Sequence, residues 1–396
     1  MTTSRYSRRV AVTGVGVVAH AGFGRDAFWQ GLLTSNPGDV SRRIETFDPS
    51  PFFENAKEAR RADRFTQFAL AAATEAIADA GDIGVDPARF GSFVGTGVGG
   101  LETLEEQIVI RHEKGARRVS PFLVPMMMSN AGAAAVSMRF GLQGPCEATV
   151  TACAAGTHAI GNAGRLIQLG LADVMVAGGS EAAMTQTAMA GFGNMTALST
   201  SGWSRPFDSR RDGFVIAEGC GLLILEEMEH AVARGAHIYC EYLGSASTAD
   251  AHHITAPAPG GGGAVRSMEL ALADAGLRSS DVRHVNAHGT STPLNDAAES
   301  EAMAKVFGSH GPIVTSTKGV TGHGLGAAGG IEGVALALTI DRRLIPPTRG
   351  TEQVDPQVDL DLVLHEARTW EPGPSLSNSF GFGGHNGTIV FAPVPH

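Results

Sequence analysis

Along this chain, short apolar runs rich in β-branched residues alternate with stretches whose apolar positions recur every three or four residues. That alternation predicts an α/β protein. Residues 9–18, 90–95 and 173–177 read as apolar strands, the last closed by Gly178 and Gly179, and 222–226 is another short one. The Ala-rich segment 65–80 reads as a helix stopped by Gly81. After about residue 236 the pattern starts afresh, with strands at 238–243, 282–287 and 313–317, a helix at 263–275 and a long helical stretch at 327–340. A hairpin closes the chain, 375–379 and 387–392 joined by a glycine loop. The repeated order of elements points to two duplicated halves, 1–236 and 237–396, and the lack of a Pro/Ser-rich linker to a shared core.

Composition narrows the class. Of 396 residues, 43% are hydrophobic and 18% charged, as expected of a globular chain. No apolar run approaches the roughly 18 residues of a membrane span, and the basic N-terminal segment 1–9 leads into a strand without the apolar core of a signal peptide. Four widely spaced cysteines without a C-x-x-C pair argue against zinc and against a disulfide framework, so a cytoplasmic setting is expected. The net charge of −10 disfavours nucleic acid. Two local basic clusters, Lys57, Arg60 and Arg61, and Arg111, Lys114, Arg117 and Arg118, would nevertheless suit an acidic protein partner.

The candidate chemistry begins at Cys153, between β-branched residues at 147–150 and a small-residue helix predicted over 154–169. A cysteine at a helix N-terminus is placed to favour thiolate, although free cysteine is more often simply buried. Three further motifs sit at element ends. Val285-Asn286-Ala287-His288-Gly289-Thr290-Ser291-Thr292 carries His288 at the C-terminal end of a strand, where open α/β sheets place ligands. Lys318-Gly319-Val320-Thr321-Gly322-His323-Gly324 is a turn with Glu332 about two and a half helical turns beyond. Asn378-Ser379-Phe380-Gly381-Phe382-Gly383-Gly384 is a loop whose glycines let backbone N–H groups approach a ligand.

In this combination the chain resembles the elongating β-ketoacyl-acyl carrier protein synthases, condensing enzymes with a thiolase-like fold. The resemblance implies duplicated βαβαβ halves in a five-layered α-β-α-β-α core, the first half carrying the cysteine and the second both histidines. It implies a Cys-His-His triad of Cys153, His288 and His323 supported by Lys318 and Glu332, with an oxyanion hole from the amides of Cys153 and Phe382. Thr290 and Thr292 would contact the phosphopantetheine arm, Phe380, Gly381 and Phe382 would form the gate for the second substrate, and Leu104 would line the acyl pocket. Lys57, Arg60, Arg61, Arg117 and Arg118 would dock the carrier protein, and Asn286, Glu332, Ser377 and Asn378 match a monovalent-cation site of some members.

The activity so implied is acyl transfer from acyl carrier protein to Cys153, then decarboxylative Claisen condensation with malonyl carrier protein, in fatty acid synthesis. No cofactor beyond the phosphopantetheine carried by that partner is expected, and a homodimer is. The segment 201–204 is shorter than usual in the family and lacks a basic residue often found there, which leaves open a ketosynthase of a specialised polyketide or antibiotic pathway. A chain-length-factor-like partner subunit is disfavoured by the presence of Cys153. A thiolase is disfavoured by a C-terminal loop without a second cysteine, and an initiating synthase by His323 standing where that class carries Asn. Gly95-Thr96-Gly97-Val98-Gly99-Gly100 fits the dinucleotide fingerprint G-x-G-x-x-G, but no acid closes a second strand about 20 residues on.

Overall fold

The computed structural model describes residues 8–35, 42–308 and 311–394; the first seven residues of the basic N-terminal segment lie outside them. Fourteen strands are numbered in chain order. The first half holds β1 (Val10–Ala19), β2 (Gly22–Phe23), β3 (Phe90–Gly95), β4 (Cys146–Glu147), β5 (Val174–Glu181) and β6 (Gly219–Glu227). The second holds β7 (Cys240–Ala249), β8 (His284–Asn286), β9 (Ile313–Thr315), β10 (Leu344–Ile345), β11 (Asp361–Leu362), β12 (Arg368–Thr369), β13 (Ser375–Gly381) and β14 (His385–Ala392).

The duplication is visible in strand order and sense. In the first half the order is β4-β3-β5-β6-β1, and in the second β9-β8-β13-β14-β7. In each, the first two neighbour pairs are parallel and the last two antiparallel. The sheets join where β1 pairs with β7 over Val10 to Val12. Two helices, Ala155–Gln168 and Ala328–Asp341, touch strands of both sheets and each other, so they form the middle layer. Arg64–Ala80 and Ala131–Phe140 cover the outer face of the first sheet, Gly262–Ala275 and Pro293–Phe307 that of the second. These are the expected five layers.

The central helices explain the glycine content. A Cβ on Gly156 would fall 2.6 Å from the Gly330 nitrogen, and one on Gly329 would fall 2.1 Å from Thr157 Oγ1. Side chains there would push the two helix starts apart. Buried on all sides, Ala328–Asp341 has no polar face, which is why it reads as a continuous apolar run. The same close packing corrects one sequence expectation. Gly178 and Gly179 do not end β5, which runs on to Glu181. They are glycine because Cβ atoms would meet the Gly221 and Gly326 carbonyls at 2.0 and 2.3 Å.

His284 opens β8 fully buried beside Trp370, with neither ring nitrogen bonded to any described residue. Burial alone pushes it down to about 3. The unfolded chain would take up its proton below the ordinary value of 6.5, so its contribution to stability is complete above that pH and falls away toward 3. His284→Phe should therefore remove about 2 kcal/mol of the stability lost between pH 7 and pH 5. Urea unfolding at both pH values measures it, and an unchanged pH slope in the variant refutes the assignment.

Candidate active site

The nucleophile candidate sits on a tight turn. Ala152 has φ of +49°, and Ala152–Ala154 wind as one short 3-10 turn into Ala155–Gln168. A non-glycine residue in this left-handed region persists only where its surroundings hold it. His158 does part of that: its Nδ1 accepts from the Thr151 hydroxyl at 2.8 Å, and its Nε2 meets the Asn386 carbonyl of β14 at 3.1 Å. With the hydroxyl as donor and the carbonyl as acceptor, the ring proton belongs on Nε2.

Cys153 is buried, and its Sγ lies 3.1 Å from His323 Nε2. Burial pushes the thiol up to about 11, against the pull of the Lys318 charge and of the Phe382 and Cys153 amides. The expectation of a resting thiolate at a helix N-terminus is thereby corrected: desolvation outweighs the dipole. The thiol must pass its proton to a neighbour, and His323 is the group in reach. Burial and the Lys318 charge hold His323 well below its ordinary value, so it is a neutral imidazole able to accept.

His288 follows β8. Its ring stands 5.3 Å from that of His323 and 5.7 Å from that of Phe380, edge-on to both. Burial first, then Lys318 and His323, push it well below its ordinary value against a smaller pull from the Phe380 backbone. Lys318 Nζ faces His288 Nδ1 at 3.4 Å. An ammonium only donates, so Nδ1 accepts and the proton is assigned to Nε2. Lys318 also pairs with Glu332, both side chains at 1% exposure. The structure thus assembles Cys153, His288, His323, Lys318 and Glu332 around one point, from both halves of the chain.

A cavity of about 580 Å³ opens there, lined among others by Cys153, His288, His323, Thr290, Thr292 and Phe382. This size suits a small-molecule arm. Phe380 and Gly381 line it too. A Cβ on Gly381 would lie 3.0 Å from the Cys153 nitrogen, so glycine is what lets the end of β13 lie against the turn that carries Cys153. Thr290 and Thr292 share a hydroxyl hydrogen bond of 3.0 Å, and Thr292 also caps the helix Pro293–Phe307.

Not every expected residue converges. Leu104 is half-buried and outside the cavity lining. Leu101, one helical turn nearer the helix start, packs instead against the apolar cluster of Cys153, Phe214, Ile216 and Leu325. Of the expected cation ligands, Asn286 Nδ2 lies 3.5 Å from Ser377 Oγ, and Asn286 Oδ1 and Glu332 Oε2 are buried without a partner among the described residues. The Asn378 side chain is engaged elsewhere, with Thr388 and Met268. Of the expected docking residues, all exposed, Arg61 lies with its guanidinium 4.0 Å over the Phe122 ring, a contact that joins the 57–61 cluster to the segment following Arg117 and Arg118.

Two buried carboxylates escaped the motif reading. Glu299 accepts the His288 and Gly289 amides at 2.8 Å each and so holds the histidine loop. Its signal was an acid following Asp296 by one turn on the helix entered from that loop. The other is Glu181, at the end of β5, which accepts the Gly97 amide and the Thr96 hydroxyl. The loop that fits a dinucleotide fingerprint is thus already occupied by a carboxylate, which leaves its amides no phosphate to bind.

The β-ketoacyl synthase N-terminal domain model matches residues 34–231, and the C-terminal domain model residues 239–352. The chain belongs to the β-ketoacyl synthase family. It is 46% identical to 3-oxoacyl-[acyl-carrier-protein] synthase 2 of Synechocystis, over 97% of this chain and 98% of that one. To the protein of the same name from Staphylococcus aureus it is 45% identical, again over 97% and 98%. Among solved structures it resembles a β-ketoacyl synthase from Burkholderia phymatum, with a TM-score of 0.90 at 34% identity over 98% of this chain and all of that one. With a type II polyketide ketosynthase solved in complex with its acyl-carrier protein the TM-score is 0.89, also at 34% identity and with the same coverage.

The ion pair carries a stability prediction. Lys318→Met leaves Glu332 buried without its cation and should cost about 3–5 kcal/mol. The double variant Lys318→Met with Glu332→Leu should recover most of the loss. Urea unfolding reads both, and a single variant as stable as the parent would show that the pair is not what satisfies Glu332.

Proposed function

We propose that this β-ketoacyl synthase is a 3-oxoacyl-acyl carrier protein synthase of fatty acid synthesis, an acyltransferase that condenses an acyl group with malonyl carrier protein. The observation that carries the reading is the 3.1 Å contact of Cys153 Sγ with His323 Nε2 inside a cavity that His288 also faces. Its halves, 1–236 with the nucleophile and 237–396 with both histidines, meet at that site.

In the first step His323 takes the thiol proton and the Cys153 thiolate attacks the acyl thioester carbonyl. Two amides, of Cys153 and Phe382, converge on the sulfur and support the oxyanion. The carbon–sulfur bond to the pantetheine arm breaks and the departing thiolate recovers the proton. In the second step the malonyl thioester loses carbon dioxide, and its electron pair moves into an enolate. The enolate oxygen accepts from His288 Nε2–H. The enolate carbon then attacks the Cys153 thioester, releasing β-ketoacyl carrier protein and a thiolate that takes up a proton. A neutral histidine suits this: it donates to an enolate oxygen without protonating its carbon. Thr290 and Thr292 would hold the pantetheine arm, and Phe380, Gly381 and Phe382 would open for the malonyl unit.

The chemistry asks for no cofactor of the protein's own. The unpartnered oxygens of Asn286 and Glu332 are the kind a hard monovalent cation takes, together with Ser377 and the Asn378 backbone, and such an ion would brace the loops around Lys318. Carrier protein would dock on Lys57, Arg60, Arg61, Arg117 and Arg118, all exposed. A homodimer would cover the exposed edge strand β4 and its neighbours Met138 and Val150, 78% and 50% exposed. No helix among the described residues is long and apolar enough to cross a membrane, and the cytoplasm is the proposed setting. The higher identity to the 3-oxoacyl synthases than to the polyketide ketosynthase favours fatty acid synthesis over a specialised pathway.

Two experiments test the reading. Cys153→Ala should lose the covalent acyl adduct seen by mass spectrometry with acyl carrier protein, and an adduct on Cys146, Cys220 or Cys240 would sink it. His288→Ala should lose malonyl decarboxylation by about a hundredfold while still acylating Cys153, whereas His323→Ala, which removes the sulfur's partner, should lose both. Separately, Arg60→Glu with Arg61→Glu should raise KM for acyl carrier protein about tenfold and leave small acyl thioesters little changed. Equal loss with both substrates would exclude a docking role.

A further inference from the structure

Glu181 is a buried carboxylate to which the mechanism assigns no task. Its Oε2 accepts the Gly97 amide at 2.5 Å and the Gly326 amide at 3.0 Å. Its Oε1 accepts the Thr96 hydroxyl at 2.9 Å and the Val98 amide at 3.4 Å. It is 0% exposed and in no ion pair among the described residues, and burial pushes it up to about 7 against those hydrogen bonds. An unpaired buried carboxyl is costly to keep, so what it holds together matters.

It joins two segments that flank the nucleophile. One is the 96–99 loop, whose Gly99 amide donates back to Thr96 Oγ1 and which leads through Gly100 into the helix Leu101–Lys114. The other is the turn Leu325–Ala327 just after His323, where Leu325 is held at φ +49°. The amide Glu181 takes there is that of Gly326, the residue after the strained leucine. Leu325 and Leu101 pack with Cys153 in the same apolar cluster, Leu325 at the cavity wall and Leu101, at the helix start that the 96–99 loop leads into, outside the lining. Space is tight: a Cβ on Gly326 would fall 2.2 Å from the Gly97 nitrogen and 2.7 Å from Glu181 Oε2.

We propose that Glu181 is a positioning residue for the acyl-transfer step, clamping the 96–99 loop to the 325–327 turn so that Leu101 and Leu325 stand as the apolar walls that receive the acyl chain beside Cys153. This rests on the reading of Cys153 as acyl carrier. Glu181 touches no substrate. It acts through the two walls, so its loss should be felt by the acyl chain and felt more as the chain lengthens. The malonyl unit, which His288 serves from the other half, should be affected far less.

The test compares wild type, Glu181→Gln and Thr96→Val. Gln keeps the shape but not the charge that strengthens four hydrogen bonds. Val removes the hydroxyl that orients the carboxylate and is the fallback should Gln fail to fold. The readouts are acylation of Cys153 by butyryl- and dodecanoyl-loaded carrier protein, followed by mass spectrometry, and carbon dioxide release from malonyl-loaded carrier protein. For Glu181→Gln we expect kcat/KM for dodecanoyl transfer to fall at least fivefold, mainly through KM, butyryl transfer to fall less, and decarboxylation to change less than twofold. Thr96→Val should show the same split at smaller size. Unchanged acylation in a folded variant, or both half-reactions falling by one factor, would overturn the proposal. A wild type that forms no adduct on Cys153 would instead overturn the reading on which it rests.

Discussion

Everything at this site depends on two helices meeting at their N-terminal ends. Ala155–Gln168 and Ala328–Asp341 lie between the sheets, and glycines at 156 and 329 let their backbones touch where side chains would hold them apart. That contact brings the turn before one helix, which carries Cys153, against the turn before the other, which follows His323. The 3.1 Å sulfur–imidazole distance is a consequence of helix packing before it is a feature of catalysis. The same geometry brings two helix N-termini to the site, with the partial positive charge that each carries.

Those dipoles work against burial. Desolvation holds Cys153 as a thiol and both histidines neutral, and one ammonium, Lys318, is set among Glu332, His288, His323 and Cys153. Its placement acts on each group differently. It pulls the thiol down, keeps the imidazoles from protonating, and satisfies the carboxylate that would otherwise be buried alone. A site with neutral hydrogen-bond donors and one fixed cation is suited to stabilising an enolate or oxyanion that appears only briefly, because nothing in it must reorganise when the charge arrives.

Much of this was legible in the sequence. Period and composition located the strands and helices, and the order of elements exposed the duplication that the strand senses display. Cys153, His288, Lys318 and His323 could be singled out because each sits at an element end among small residues. The protonation state of Cys153 could not be read that way, since a helix start argues for thiolate and only the depth of burial shows that desolvation wins. Glu181 and Glu299 were missed for a related reason. A carboxylate whose partners are backbone amides leaves no mark in residue spacing, because any residue can supply an amide. Leu104 came from the resemblance and not from periodicity; it stands half-buried on the helix Leu101–Lys114, outside the cavity lining.

The duplication also says what the two halves had to do differently. Ala152-Cys153-Ala154-Ala155-Gly156 and Leu325-Gly326-Ala327-Ala328-Gly329 enter the two central helices by the same turn, each with a non-glycine residue at φ +49° in first position. Gly326 therefore stands where the other half carries Cys153. At Gly326 the amide is satisfied for good by the Glu181 carboxylate. At Cys153 the amide converges with that of Phe382 on the sulfur. One copy of the turn is thus held by a buried carboxyl group, and the other turns its amide to the sulfur. The two turns pack against each other, so the clamp on the one also braces the strained entry that carries Cys153.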